Sequence, residues 1–373
     1  MESKPLDLEV VESKPLDLGT RKSILNKIGI LSTMRKLVLL SFVSTILGIT
    51  TTNVFALGEC GLSCCIAGAN TSGVTLAPNL GLSLQYEYMD METIREGTSE
   101  IGPNDVINRN WQPGGMYSVP TSMIMQKWSL AAAYPVTERF QVLGVLPYIK
   151  NDMDMRMKNK MGMVMEHKMD TLQGLGDITV LGLYTAYADA PIRPTQRLTL
   201  GFGLKMPTGK NDEKNASGKY VHAMMQLGSG SWDALFTANY LKAFYPVILQ
   251  ASLFYQLNTE GDEGYEFGDQ ISYDLVSRYQ VNNFINVGLD LHGIYAMKDK
   301  DHDGKYSKIA TSMVDNPEHT GLHSLFLTPV LQYKIPNTAG SVEIKYQKPL
   351  YQDVNGYQQV IDNRWLLSLT WNF

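Results

Sequence analysis

The last ten residues, Arg364 to Phe373, alternate with one exception, Leu366: Trp365, Leu367, Leu369, Trp371 and Phe373 fall on one face, Arg364, Ser368, Thr370 and Asn372 on the other. Side chains on a strand have a period of two, so this is a strand with one lipid-like and one watery face. Ending such a strand on an aromatic residue is how outer-membrane β-barrels usually finish. The alternation recurs upstream. Val247, Leu249, Ala251, Leu253, Tyr255 and Leu257 oppose Gln250, Ser252 and Gln256. Ile285, Val287, Leu289, Leu291 and Tyr295 oppose Asn286, Asp290 and His292, and Val342, Ile344 and Tyr346 oppose Glu343, Lys345 and Gln347.

Twelve such segments can be counted, at about 80–92, 123–134, 139–155, 176–187, 196–206, 231–242, 246–258, 269–280, 283–296, 323–334, 341–350 and 363–373. The second, third and fourth alternate poorly, so the pattern assigns them no facing. Connections sort by length. Pro135-Val136-Thr137-Glu138, Ala243-Phe244-Tyr245, Val281-Asn282 and Pro336 to Gly340 are tight, and the connection around Pro191 and Pro194 is slightly longer. Those between them run to about ten to thirty polar residues, the alternation of periplasmic turns and extracellular loops. A soluble β-sandwich also has short strands and turns but no reason to sort its loops this way. The expected fold is all-β, a transmembrane antiparallel β-barrel of the outer-membrane type over 80–373, with an even strand number and both mature termini periplasmic. Twenty tyrosines and five tryptophans suit the two membrane interfaces, although aromatics also favour strands in general.

The amino end supports export. Met34-Arg35-Lys36 is a basic start, Leu37 to Ile49 an apolar core, and Val54-Phe55-Ala56 places a small residue before a cut. Residues 34–56 therefore read as a signal peptide; the apolar run is too short for a membrane helix, which needs about 20 residues. Residues 1–33 carry Glu-Ser-Lys-Pro-Leu-Asp-Leu twice and read as a non-native or disordered extension without function. Segment 1–56 holds seven Lys/Arg and five Asp/Glu, so of the chain's 32 and 37 there remain 25 basic and 32 acidic residues, a mature charge of −7. That balance excludes the basic face that nucleic-acid binding wants. A mean hydropathy of −0.14 is far too low for a helical membrane protein.

Cys60, Cys64 and Cys65 lie in a short periplasmic lead-in, 57–79. In an oxidising compartment they predict a disulfide from Cys60 to Cys64 or Cys65 with one thiol left over, or else a soft-metal site or a link to a periplasmic partner.

Three segments, Gly174-Leu175-Gly176-Asp177-Ile178, Leu204-Lys205-Met206-Pro207-Thr208-Gly209 and Gly228-Ser229-Gly230-Ser231-Trp232-Asp233, resemble in order and spacing the outer-membrane β-barrel transporter family of the meta-pathway of phenol degradation. With the terminal strand, the resemblance covers most of 57–373. It implies a membrane barrel that moves small hydrophobic or aromatic molecules, and leaves the substrate open. The residues also have a purely structural reading: Gly174 and Gly176 allow a bend or bulge where a loop enters a strand, and Pro207-Thr208-Gly209 turns the chain out of a strand.

One loop departs from that family. Seven methionines occupy the seventeen residues from Met153 to Met169, namely Met153, Met155, Met157, Met161, Met163, Met165 and Met169, with His167 among them. Thioethers select Cu(I) or Ag(I), and neutral imidazole can join them. A hairpin turning at Lys158-Asn159-Lys160 would bring the triplets 153/155/157 and 161/163/165 together. Adaptable apolar filler or a sacrificial oxidation target is the alternative, although filler is not normally interleaved with Asp152, Asp154, Arg156, Lys158, Lys160 and Glu166. Elsewhere, Asp299, Asp301, Asp303 and Gly304 look like the start of a calcium loop, but Ala310 stands where a bidentate Glu is needed. His319 and His323 are four apart without a glutamate completing a zinc motif. There is no GxSxG elbow and no P-loop, so the chain reads as a non-enzyme without a resident cofactor, Cu(I) at the methionine loop excepted.

Polar parity predicts a lumen lined by Glu87, Lys127, Lys205, Asp233, Asp274, Arg278, Asp290, His292, Glu343, Lys345 and Arg364. Mixed signs imply salt-bridged packing across a narrow interior rather than a single-sign ion pore. Two functions follow as expectations: passive transport of small hydrophobic or aromatic compounds, or a surface Cu(I)/Ag(I) protein anchored by its barrel. The expected partners are outer-membrane lipid, the barrel-assembly machinery, a small-molecule substrate and a periplasmic protein at the cysteines.

Overall fold

A computed structural model describes residues 80–190, 194–215, 218–306 and 311–373. The extension, the signal peptide and the three cysteines lie outside the described residues.

Twelve long strands form the wall: β1 (Gly81–Met91), β2 (Tyr117–Pro135), β3 (Phe140–Lys158), β4 (Ile178–Ala188), β5 (Gln196–Met206), β6 (Asp233–Phe244), β7 (Val247–Leu257), β8 (Gln270–Gln280), β9 (Ile285–Ala296), β10 (Leu322–Lys334), β11 (Gly340–Gln359) and β12 (Asn363–Asn372). Each pairs antiparallel with its neighbours in sequence, and β1 closes on β12, with Gly81 opposite Asn372 and Glu87 opposite Leu366. Closure leaves no sheet edge along the wall, the condition for crossing a hydrocarbon layer with strands. The first strand begins and the last strand ends at the end that carries the short turns.

Outward positions of the wall are apolar and exposed, among them Leu84, Leu200, Phe202, Leu253, Leu275, Leu331, Leu367 and Leu369. Exposed leucines in such numbers would be a liability in water and are what a lipid-facing band requires. Aromatic rings join them in cross-strand rows: Tyr86, Trp128 and Tyr148 stand opposite one another on β1, β2 and β3, with centroids 5.2 and 6.0 Å apart. Tyr346 packs on Trp365 at 4.5 Å. No helix among the described residues is long and apolar enough to cross a membrane.

Three strands are longer than their alternation suggested. β2 starts at Tyr117 rather than near 123, β3 runs to Lys158 rather than 155, and β11 to Gln359 rather than 350. The cause is pairing beyond the membrane band: Tyr117 stands opposite Lys158, and the far end of β11 pairs with a short strand, Ile94–Gly97. Once lipid no longer demands an apolar face, ladder hydrogen bonds continue without the sequence signature that marks them. The long connections are also structured. That between β1 and β2 holds a helix, α1 (Pro103–Asn110), whose Val106 and Ile107 are buried with Ile94, Tyr117, Val119 and Met313. That between β3 and β4 folds back on β3 through Val164–Lys168 and Leu172–Leu175.

The poor alternation of β2, β3 and β4 has a clear reason. Their inward positions are themselves apolar. Ala131, Ala133, Leu143, Val145, Leu181 and Leu183 pack with Leu235 and Phe254 in one buried cluster inside the barrel.

Candidate functional site

The barrel interior is arranged in tiers, which β1 shows most simply. From the long-loop end downward its inward side chains are Met91, Met89, Glu87, Gln85 and Ser83, all buried. Nine of the eleven charged residues that parity singled out are joined in ion pairs inside the wall, and the other two, Asp274 and His292, are hydrogen-bonded to each other. Glu87 meets Lys127 at 2.6 Å and Arg364 at 3.1 Å, while Arg364 donates to Gln347 Oε1 at 2.8 Å. Arg278 forms a fork with Asp290, one arm at 3.0 Å, and Lys345 bridges Glu343 at 3.1 Å and Asp290 at 3.7 Å. Lys205 holds Asp233 at 2.5 Å, and His292 Nδ1 lies 2.6 Å from Asp274. Burying isolated charges in this way would be prohibitive, and pairing with hydrogen bonding is what makes it tolerable.

Sequence reading missed Asp177, which organises the three glycine-containing segments. Its Oδ1 accepts the Gly209 N–H at 3.0 Å and its Oδ2 accepts the Ser229 N–H and hydroxyl at 2.8 and 2.9 Å. Thr208 closes the knot by donating to Gly176 O while accepting the Ile178 N–H, both at 2.9 Å. Ser231 donates to Asp233 at 2.8 Å, and Lys205 lies 4.0 Å from Asp177, so the knot joins an ion pair of the lumen. Segments separated by up to about fifty residues thus form one buried polar lock at the top of β4, β5 and β6. Gly228 is there because a Cβ would lie 2.5 Å from Gly209 O.

The eight candidate metal ligands do not form one site. The turn lies at Asn159 to Met163 rather than at Lys158 to Lys160, which sets Met157 opposite Met165 and Met155 opposite His167. Met161, Met163, Met165 and His167 are exposed, Met161 to 78%. Met153 and Met155 are buried inside the barrel, and Met169 packs with them; Met157 is intermediate. The inward group is completed by Met89, Met91, Met123, Met125, Met224 and Met225, none of which the loop reading included. The signal was available: Met-x-Met occurs at 89–91 and 123–125 as it does at 153–155.

The remaining candidates are used locally. Asp299 accepts the Tyr265 hydroxyl at 2.7 Å and the Gly268 N–H at 2.8 Å, and burial raises its carboxyl above the ordinary range. Asp301 accepts the N–H groups of Lys305 and Tyr306. His319 packs edge-on against Tyr357 and His323 faces the Tyr273 hydroxyl at 3.2 Å, so the two rings serve different neighbours. Burial lowers the His319 imidazole below its usual value.

Residues 108–359 match the family model described as "Putative MetA-pathway of phenol degradation". The chain belongs to that family. An outer membrane channel from Pseudomonas putida F1 has a similar crystal structure, at 13% identity and a TM-score of 0.52 over 80% of this chain and 97% of that one. A Pseudomonas aeruginosa FadL homologue matches with a TM-score of 0.40 at 10% identity, over 79% and 90% of the two chains. The CymD monoaromatic hydrocarbon channel matches with 0.39 at 9%, over 79% and 88%. No curated protein sequence matches. This member of the phenol-degradation family is thus a bacterial outer-membrane β-barrel whose surface meets lipid.

Proposed function

We propose that the protein is a passive outer-membrane channel for small, uncharged hydrophobic or aromatic compounds. The observation that carries this reading is the composition of the interior: charged side chains are tied to one another within the wall, and beside them lies an inward apolar cluster of Leu, Val, Ala and Phe. A lumen with mutually neutralised charge gives little field to concentrate ions, and an apolar wall lowers the cost of transferring an apolar solute through it. Membership of the phenol-degradation family agrees, as does the P. putida relative's description as an outer membrane channel. The barrel itself performs no chemistry on its solute. Export by the 34–56 signal, insertion by the barrel-assembly machinery and a periplasmic partner at Cys60, Cys64 and Cys65 belong to the same reading.

Planar-bilayer conductance together with uptake by a deletion strain tests it. Poor ionic conductance with slowed entry of monoaromatic compounds, restored by the intact gene, is the expected outcome. Unchanged uptake across a panel of aromatic and aliphatic solutes would overturn it.

A further inference from the structure

We propose that the methionine tier at the extracellular mouth is a binding site for a soft monovalent cation, Cu(I) or Ag(I). The site stands independently of the transported substrate.

Strand register brings the methionines together. Met-x-Met occurs on three adjacent strands, with Asp90, Ile124 and Asp154 taking the alternate face. Met91 stands directly opposite Met123, Met123 opposite Met153, and the Met169 N–H donates to Met153 O at 3.0 Å, extending the row by one segment. Met89 stands opposite Met125 in the next row down. Directly opposed side chains share a face with Cβ atoms about 4.5–5.5 Å apart, and each methionine adds three rotatable bonds. Neighbouring thioethers can therefore converge on a single ion without any backbone movement. From the other side, the loop between β5 and β6 delivers Met224 and Met225, held in place where the Asn151 side chain donates to Met225 O at 3.1 Å.

General apolar filling does not account for the pattern. The second buried cluster of the same barrel interior is built of Ala, Leu, Val and Phe and contains no methionine. One apolar cluster has no thioether, whereas six of the seven buried members of the other are methionines, Val221 being the seventh, and Met125, Met169 and Met224 pack against it beside Leu172, Val314 and Ile361. Uncharged sulfur suits soft monovalent ions and discriminates against Zn(II). Met91, Met123, Met153, Met155 and Met225 are all buried, which removes competing water. The innermost methionine, Met89, has Arg364 Nη2 3.6 Å from its sulfur; a guanidinium there repels a cation, so the ion belongs in the outer row of Met91, Met123 and Met153.

The test uses the protein with Cys60, Cys64 and Cys65 changed to Ser, so that no thiol competes for silver, refolded in detergent and titrated with Ag(I) alone, with metal retained after desalting as the readout. About one retained equivalent is expected for the parent, persisting as pH falls because thioethers need no deprotonation. The triple variant M91L/M123L/M153L keeps apolar volume and should weaken Ag(I) binding by at least about tenfold. The control M161L/M163L/M165L, on the exposed hairpin, should leave it unchanged. Heat-modifiable gel migration reports folding of each variant, and X-ray absorption of the silver-loaded parent gives a readout needing no variant. A sulfur-only shell supports the site. Nitrogen or oxygen ligands, equal affinity for Zn(II), unaltered retention in the triple variant, or loss in the hairpin variant would each overturn it.

Discussion

Arg364 illustrates what a buried charge does in this wall. It is fully buried on the last strand, 3.1 Å from Glu87 and 2.8 Å from Gln347, so the strand that closes the barrel is tied to β1 by charge as well as by ladder hydrogen bonds. Removing one member of such a pair leaves the other poorly compensated and typically costs about 3–5 kcal/mol, whereas replacing both by apolar groups is far milder. Glu87→Gln is therefore expected to destabilise the barrel by about that amount, read as a lower midpoint of urea unfolding. Because Glu87 also holds Lys127, Glu87→Gln combined with both Arg364→Met and Lys127→Met should recover much of the loss. A triple variant that is worse than the single one would show that the three charges do not act as a unit. The alternation of the sequence placed these two residues on the watery side of their strands; it carried no sign of which cation would meet which anion, because partners nearly three hundred residues apart are chosen by closure.

At the scale of elements, the lock around Asp177 shows why three short glycine-containing segments travel together in order. Each supplies a part that is useless alone: the acceptor Asp177, the turn at Thr208 and Gly209, and the donor Ser229. Close approach of Gly228 to Gly209 leaves no room for a methyl group against a backbone carbonyl, which cannot swing away as a side chain could. Gly228→Ala should therefore loosen the loop from Lys210 to Leu227, seen as faster hydrogen exchange there with the strand ladders unaffected. Unchanged exchange would mean that the lock does not hold the loop. Because Met224 and Met225 ride on that loop, the same variant should disturb the methionine tier more than the ion pairs beneath it. The glycines were visible in the sequence as turn residues, but their common acceptor was not, since Asp177 is a single unremarkable carboxylate until the fold brings the other two segments to it.

For the molecule as a whole, the orientation makes a simple demand. Lys160 is exposed at the tip of a long-loop hairpin, and Arg139 is exposed at a short turn at the opposite end. Trypsin added to intact cells should cut at the first and spare the second, while disruption of the outer membrane should expose both; cleavage at Arg139 alone in intact cells would mean the barrel is inverted. The class of fold was legible because lipid imposes a period-two constraint on every crossing strand and the ladder leaves no other way to satisfy the backbone. Strand number and loop alternation followed from that local rule. It failed where its cause was absent: beyond the lipid band, where β2, β3 and β11 run on without alternation, and at β2 to β4, where the inner face is apolar as well. The methionines mark the limit most sharply. A dense run between 153 and 169 drew attention to one loop, whereas the turn position exposed half of that run and the register of β1 and β2 supplied Met89, Met91, Met123 and Met125 from far away. Facing is a property of neighbouring residues and can be read along the chain; convergence depends on register and closure between distant strands, and only the tertiary structure decides it.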